Sequence, residues 1–202
     1  MMNQEIKGLL LAYEWVLKTM TTKLTIIQEA HKHTQGTSPI GQITGRIKTP
    51  ESIEGKLKKK SLPITEEAIK ANLKDVAGMR IICPYTKDIY ELAGILRNMP
   101  EVRVLKEKDY VTHPKPSGYR SYHMILELPI YHSGKQEHLP IEIQIRTEGM
   151  NFWSTLEHQV KYKYQADIPK HLSDELVICA NKIAELDERM FLIYDIISLI
   201  NE

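Results

Sequence analysis

Apolar residues recur along this chain with two periods, and the switches between them outline its elements. From residue 3 to 34, Ile6, Leu9, Leu10, Tyr13, Val16, Leu17, Met20, Leu24 and Ile27 return at helical spacing and predict one long amphipathic helix. His31 and His33 near its end point to different sides of a helix, so they suit a charge interaction with the helix terminus better than a metal. Residues 34–52 hold Pro39, Gly41, Gly45 and Pro50 and read as a loop. Within it GQITGRIK is faintly like a phosphate loop but lacks the GxxxxGK[ST] order. A short helix is expected from about Ser52, with the basic run Lys56, Lys58, Lys59 and Lys60 on a solvated face, and a second from Thr65 to Leu73.

Residues 75–83, DVAGMRIIC, are apolar enough for a central strand, interrupted by Arg80. Asp75 and Arg80 have opposite strand parity, so they share a face only if Gly78 marks a bulge or Asp75 precedes the strand. A helix near 86–98, a strand near 101–106 and a Pro- and Gly-containing loop at 109–119 follow. The strand 119–128 sets Tyr119, Ser121 and His123 on one face. A short loop around Ser133 and Gly134 then makes it an antiparallel neighbour of the strand 139–146, where Ile141, Ile143 and Ile145 alternate with Glu142, Gln144 and Arg146. An ordinary wet face would give that same alternation.

Helical spacing resumes to about residue 164, with Met150, Trp153, Leu156 and Val160 on one side. In the last helix, 170–200, Leu176, Cys179, Ile183, Leu186, Met190, Ile193, Ile197 and Ile200 form an a/d seam. Packing on the N-terminal helix and a subunit interface both fit it.

Composition narrows the class. At 202 residues, 42% hydrophobic and 26% charged, the chain suits one folded domain. A net charge of +1 gives no bulk argument for nucleic acid or membrane, so any basic site is local. Cys83 and Cys179 lie far apart without a CxxC partner, which suggests neither a disulfide framework nor a zinc site; both read as buried thiols. No transmembrane run or signal segment is evident, so a cytoplasmic location is the default.

Two acids, Asp75 and Glu142, can meet across the strands. At 4 Å they would repel by about 4 kcal/mol at an effective dielectric of 20, so they call for a cation or a shared proton. Oxygen ligands without a His/Cys cluster favour Mg²⁺ over zinc. Arg46, Lys48, Lys56, Arg80, Lys115 and Arg146 supply positive charge, and Tyr119 could stack on a base. Together these suggest a nucleotide polyphosphate.

Five blocks carry this further: TGRIK at 44–48, KDVAGMRI at 74–81, GYRSYH at 118–123, EIQIRT at 142–147 and MNFWSTLEH at 150–158. In order and spacing they resemble the synthetase domain of the RelA/SpoT alarmone synthetases. The short length, without a hydrolase domain before or regulatory domains after, is like the small alarmone synthetases. The resemblance implies an α/β (α+β) nucleotidyltransferase-like fold, a mixed sheet flanked by helices in a single domain 1–202. An N-terminal helix would occupy 1–35, a catalytic core 36–165 and a C-terminal helix 166–202.

It also implies transfer of the ATP pyrophosphate to the 3′-hydroxyl of GDP or GTP, giving ppGpp or pppGpp and AMP. Asp75 would be the Mg²⁺ ligand, and Glu142 the second acid, assisting the metal or taking the hydroxyl proton. Arg46 and Arg80 would sandwich adenine while Lys48 and Lys56 hold ATP phosphates. Tyr119 would stack on guanine with Lys115 and His123 near the GDP phosphates, supported by Gln144, Asn151 and Glu157. A homotetramer is expected, without membrane or obligatory nucleic-acid partner. The alternative is a toxin-like relative that pyrophosphorylates tRNA or makes adenosine alarmones.

Two positions depart from the pattern. Lys108 stands where some relatives have a phosphate-binding Arg, keeping the charge without the bidentate fork. Gln42 stands where the pppGpp-activated branch has an aromatic residue, so activation by pppGpp is not expected.

Overall fold

In a computed structural model, residues 4–132, 134–164 and 168–200 are described. Asn3 of the expected first helix, Ser133 of the expected turn and the expected 165/166 boundary lie outside them. The elements run α1 (Gln4–Gln35), β1 (Gln42–Ile47), α2 (Pro50–Lys59), α3 (Glu66–Asn72), β2 (Ala77–Cys83) and α4 (Thr86–Arg97). They continue with β3 (Arg103–Asp109), β4 (Tyr122–His132), β5 (Lys135–Thr147), α5 (Glu148–Tyr164) and α6 (Lys170–Ile200). One mixed sheet has the order β1-β2-β5-β4-β3, with β2 and β5 parallel and the other pairs antiparallel.

The isoleucines of β5 join Met79 and Ile81 of β2 and Met124 and Leu126 of β4 on a buried face. The α1 stripe Ile6, Leu9, Tyr13, Val16, Met20 and Leu24 lies over it with Ile89, Leu92 and Leu96 of α4. Each such side chain contributes about 1.5–3 kcal/mol on burial, so the apolar alternation fixes which way the sheet faces. The polar alternates then line the opposite face by geometry alone. Thr49 and Thr65 cap α2 and α3 through their hydroxyls, and Pro50 occupies the first turn of α2.

The expected elements are present, with shifted ends, and three readings need correction. Residues 42–47 are not loop but edge strand β1, paired with β2. Gly45, taken as a breaker, lets the side chain of Leu17 pack on the strand: a Cβ would stand 2.6 Å from Leu17 Cδ1, and Leu17 would have to shift. Cys83 is buried as expected, whereas Cys179 is exposed. The a/d seam does not face α1: α6 packs chiefly on α5 and α4, through a face that includes Ala180, Phe191 and Tyr194. Leu186, Met190, Ile193, Ile197 and Ile200 are left exposed. Among the described residues no helix is long and apolar enough to cross a membrane.

Candidate active site

Register arranges the polar face of the sheet in two rows. One runs Arg46, Gly78, Glu142, Ile125 and Lys106; the next runs Thr44, Arg80, Gln144, His123 and Lys108. Gly78 therefore leaves an open floor between Arg46 and Glu142, where a Cβ would meet nothing within 4 Å. The parity question has a simple answer: Asp75 precedes β2, while the register through Gly78 is continuous on both sides.

Two hollows open on this face. The first, about 200 Å³, is lined by Arg46, Arg80, Gly78 and Gln144 among others; the second, about 420 Å³, by Lys56, Lys106, Lys108, Tyr110, Lys115 and His123 among others. Asp75 and Glu142 belong to both.

Asp75 is ion-paired with the ammonium groups of Lys48 and Lys56. Burial alone would raise its carboxyl, but hydrogen bonds and charge from the two lysines prevail and hold it below its ordinary value. Burial draws the Lys48 ammonium down despite Asp75. It also works against the more exposed Lys56, where the bond and charge of Asp75 prevail and raise it. The Arg80 guanidinium is lowered by burial first, then by the like charges of Arg146 and Arg46. An anion in the first hollow would relieve that repulsion.

Glu142 accepts a hydrogen bond from Gln144 Nε2 at 3.1 Å, and His123 Nδ1 stands 3.6 Å from its other oxygen. The interaction with His123 is the largest influence on the Glu142 carboxyl and lowers it; burial opposes it and Gln144 adds to it. Tyr119 Oη meets His123 Nε2 at 2.8 Å, and Lys115 Nζ lies 4.7 Å from the Tyr119 ring centre.

Most residues expected at the site converge there. Lys56, assigned to the ATP side, lines the second hollow and reaches the first through Asp75. Lys108 Nζ lies 5.7 Å from the Tyr110 ring centre. Asn151 and Glu157 stand on α5 and line neither hollow; the Asn151 side-chain oxygen is buried without a hydrogen-bond partner. Sequence reasoning missed Tyr110, which packs edge-on against His123 and Tyr119. Its signal was an aromatic between Lys108 and Lys115. Gly78 was also missed as a floor, because strand pairing sets its neighbours.

The donors fit a hard divalent cation in part. Among the described residues no group of three or more His, Cys, Asp or Glu could hold a metal unaided. Two carboxylates beside a cationic polyphosphate hollow match Mg²⁺, which takes one or two carboxylates and completes its shell with substrate phosphates and water.

A family model described as "Region found in RelA / SpoT proteins" matches residues 45–167. GTP pyrophosphokinase YwaC of Bacillus subtilis is 41% identical, covering 93% of this chain and 89% of its own. Small alarmone synthetase 1 of Bacillus subtilis, solved bound to its product pppGpp, superposes with a TM-score of 0.86 at 34% identity, covering 96% of this chain and 98% of its own. A GTP pyrophosphokinase family protein from Streptococcus pneumoniae gives 0.87 at 37% identity, covering 97% and 96%. This chain therefore belongs to the RelA/SpoT family, in its small alarmone synthetase branch.

Proposed function

We propose that the protein transfers the β,γ-pyrophosphate of ATP to the ribose 3′-hydroxyl of GDP or GTP, yielding ppGpp or pppGpp and AMP. The observation that carries this reading is the shared pair of acids, Asp75 and Glu142, between two otherwise distinct basic hollows. A two-substrate transfer needs donor and acceptor to meet at one catalytic group, and this geometry supplies the meeting point.

Arg46 and Arg80 bind the adenine of ATP, their planar guanidinium groups suiting a ring face. Lys48 and Lys56 exchange Asp75 for ATP phosphates, which frees Asp75 as a metal ligand together with Glu142. Asp75 and Glu142 would hold Mg²⁺, which would supply charge neutralisation on the transferred phosphates. Lys108 and Lys115 hold the acceptor phosphates while Tyr119 stacks on guanine, with His123, Gln144, Asn151 and Glu157 supporting that side. Glu142, kept ionised by His123 and Gln144, takes the 3′-hydroxyl proton as the oxygen attacks the β-phosphorus. The new O–P bond forms as the bond from that phosphorus to the α,β-bridging oxygen breaks, and AMP leaves with the electron pair.

The enzyme acts in the cytoplasm as a homo-oligomer, a tetramer, and the exposed apolar face of α6 supports self-association. Incubation with ATP, Mg²⁺ and GDP, GTP or deacylated tRNA tests the reaction. The expected result is AMP and a 3′-pyrophosphorylated guanine nucleotide in equal amounts. Label on tRNA or on an adenosine nucleotide would select the toxin-like alternative instead. No AMP with any acceptor would overturn the enzymatic reading.

A further inference from the structure

One buried cation on the polar face has no task in this scheme. Arg146 is 3% exposed, and its Nη2 donates to Tyr119 Oη at 2.7 Å and to Gln144 Oε1 at 2.8 Å. Its Nε reaches Ser121 Oγ at 3.4 Å, and its guanidinium carbon lies 5.2 Å from the Tyr119 ring centre. Nη1 is buried without a hydrogen-bond partner. Burying a guanidinium is costly, and a sheet this well packed could hold an apolar residue there at lower cost.

The two neighbours of Arg146 lead by separate routes to one acid. Gln144 Nε2 donates to Glu142 Oε2 at 3.1 Å. Tyr119 Oη meets His123 Nε2 at 2.8 Å, and His123 Nδ1 faces Glu142 Oε1 at 3.6 Å. Hydrogen bonds thus link Glu142 through Gln144, Arg146 and Tyr119 to His123, which comes back to within 3.6 Å of the acid.

A guanidinium can only donate, and this fixes the direction of the Gln144 route. Gln144 must turn its oxygen to Arg146, so its NH₂ faces Glu142. Tyr119 accepts from Arg146, which leaves its own hydrogen available to His123 Nε2. In that arrangement His123 accepts at Nε2 and turns Nδ1 toward Glu142. The Gln144 route ends as a donor on Glu142 Oε2, and the Tyr119 route ends at His123, facing Oε1.

We propose that Arg146 is a positioning residue that acts through Gln144 and Tyr119, aiming the Glu142 carboxylate. The same guanidinium fixes the Tyr119 ring, so the acceptor base and the group that deprotonates its ribose are set by one side chain. The proposal rests on the role given to Glu142 above.

Two measurements test it, both on the full chain. With ATP, Mg²⁺ and GDP, Arg146→Gln lowers kcat about 10–100-fold, a part of the 10²–10⁴ that a positioned base supplies. KM for ATP stays near the wild-type value. In a Tyr119→Phe background the same substitution costs less, because one route is already cut. Wild-type turnover by Arg146→Gln, or full additivity with Tyr119→Phe, overturns the proposal. Nitrogen-15 NMR of the wild-type imidazoles, with His123 assigned by its loss in His123→Gln, does not depend on whether the arginine variant folds. It should show hydrogen on His123 Nδ1, and hydrogen on Nε2 would refute the direction of the Tyr119 route. If the wild-type protein makes no pyrophosphorylated nucleotide, the functional reading fails; if it does and Arg146→Gln is unimpaired, this inference alone fails.

Discussion

Glu142 on β5 stands in parallel register with Gly78 on β2, so the acid faces a strand position that has no side chain. The gap is what makes a floor for the first hollow between Arg46 and Glu142.

Filling that gap should separate binding from folding. A Cβ at position 78 meets nothing within 4 Å, and valine suits a strand better than glycine. Gly78→Val is therefore expected to fold with unchanged or slightly raised stability and to lose ATP affinity by at least about tenfold, roughly 1.4 kcal/mol. Calorimetric titration with ATP alongside a thermal melt checks both; unchanged ATP affinity would contradict the placement.

The strand and helix order was legible because apolar periodicity is a local property, and the β5 isoleucines and α1 stripe are buried where that pattern puts them. What was not legible depended on partners distant in sequence. β1 was hidden because Gly45 looks like a breaker until Leu17 is seen to occupy its Cβ space. Cys179 was misjudged, and packing of the a/d seam on α1 fails, because helical spacing shows that a face is apolar, not what covers it. Family motifs marked Asp75, Lys48 and Lys56, but not that both lysines ion-pair with Asp75. The role of Arg146 needed bond directions that spacing does not contain.

Asp75 makes a pH prediction whose sign is fixed. Its folded-state value is lowered by Lys48 and Lys56 against burial. Its contribution is therefore complete above the ordinary carboxylate value, about 4, and is lost as pH falls through the lowered value. Asp75→Asn should cost about 1–3 kcal/mol at pH 7 by stranding two ammonium groups. In urea unfolding the gap to wild type should close below about pH 4; a gap that widens toward acid would be inconsistent with these pairs.

Gly118 ties the acceptor loop to α6. Its φ is +87° and a Cβ would stand 2.7 Å from Ala180 Cβ, on the loop that positions Lys115 and Tyr119. Gly118→Ala is expected to cost about 1–3 kcal/mol and to raise KM for GDP more than KM for ATP. Adding Ala180→Gly should recover part of the loss, since it removes the contact but not the backbone strain. Equal effects on both substrates would show that the loop does not serve the acceptor side.

Gln42 is exposed on β1 and cannot stack as an aromatic would. Initial rates of transfer should not rise when pppGpp is added at the start of the reaction. A severalfold increase would show that activation does not require an aromatic there.

The central claim is that Glu142, between the two hollows, takes the acceptor proton. The direct measurement is pyrophosphate transfer from ATP to GDP by Glu142→Gln, with ATP affinity determined on the same sample. The account predicts a loss of turnover of about 10²–10⁴-fold with ATP affinity largely retained. Substantial residual transfer by a folded Glu142→Gln protein would contradict it.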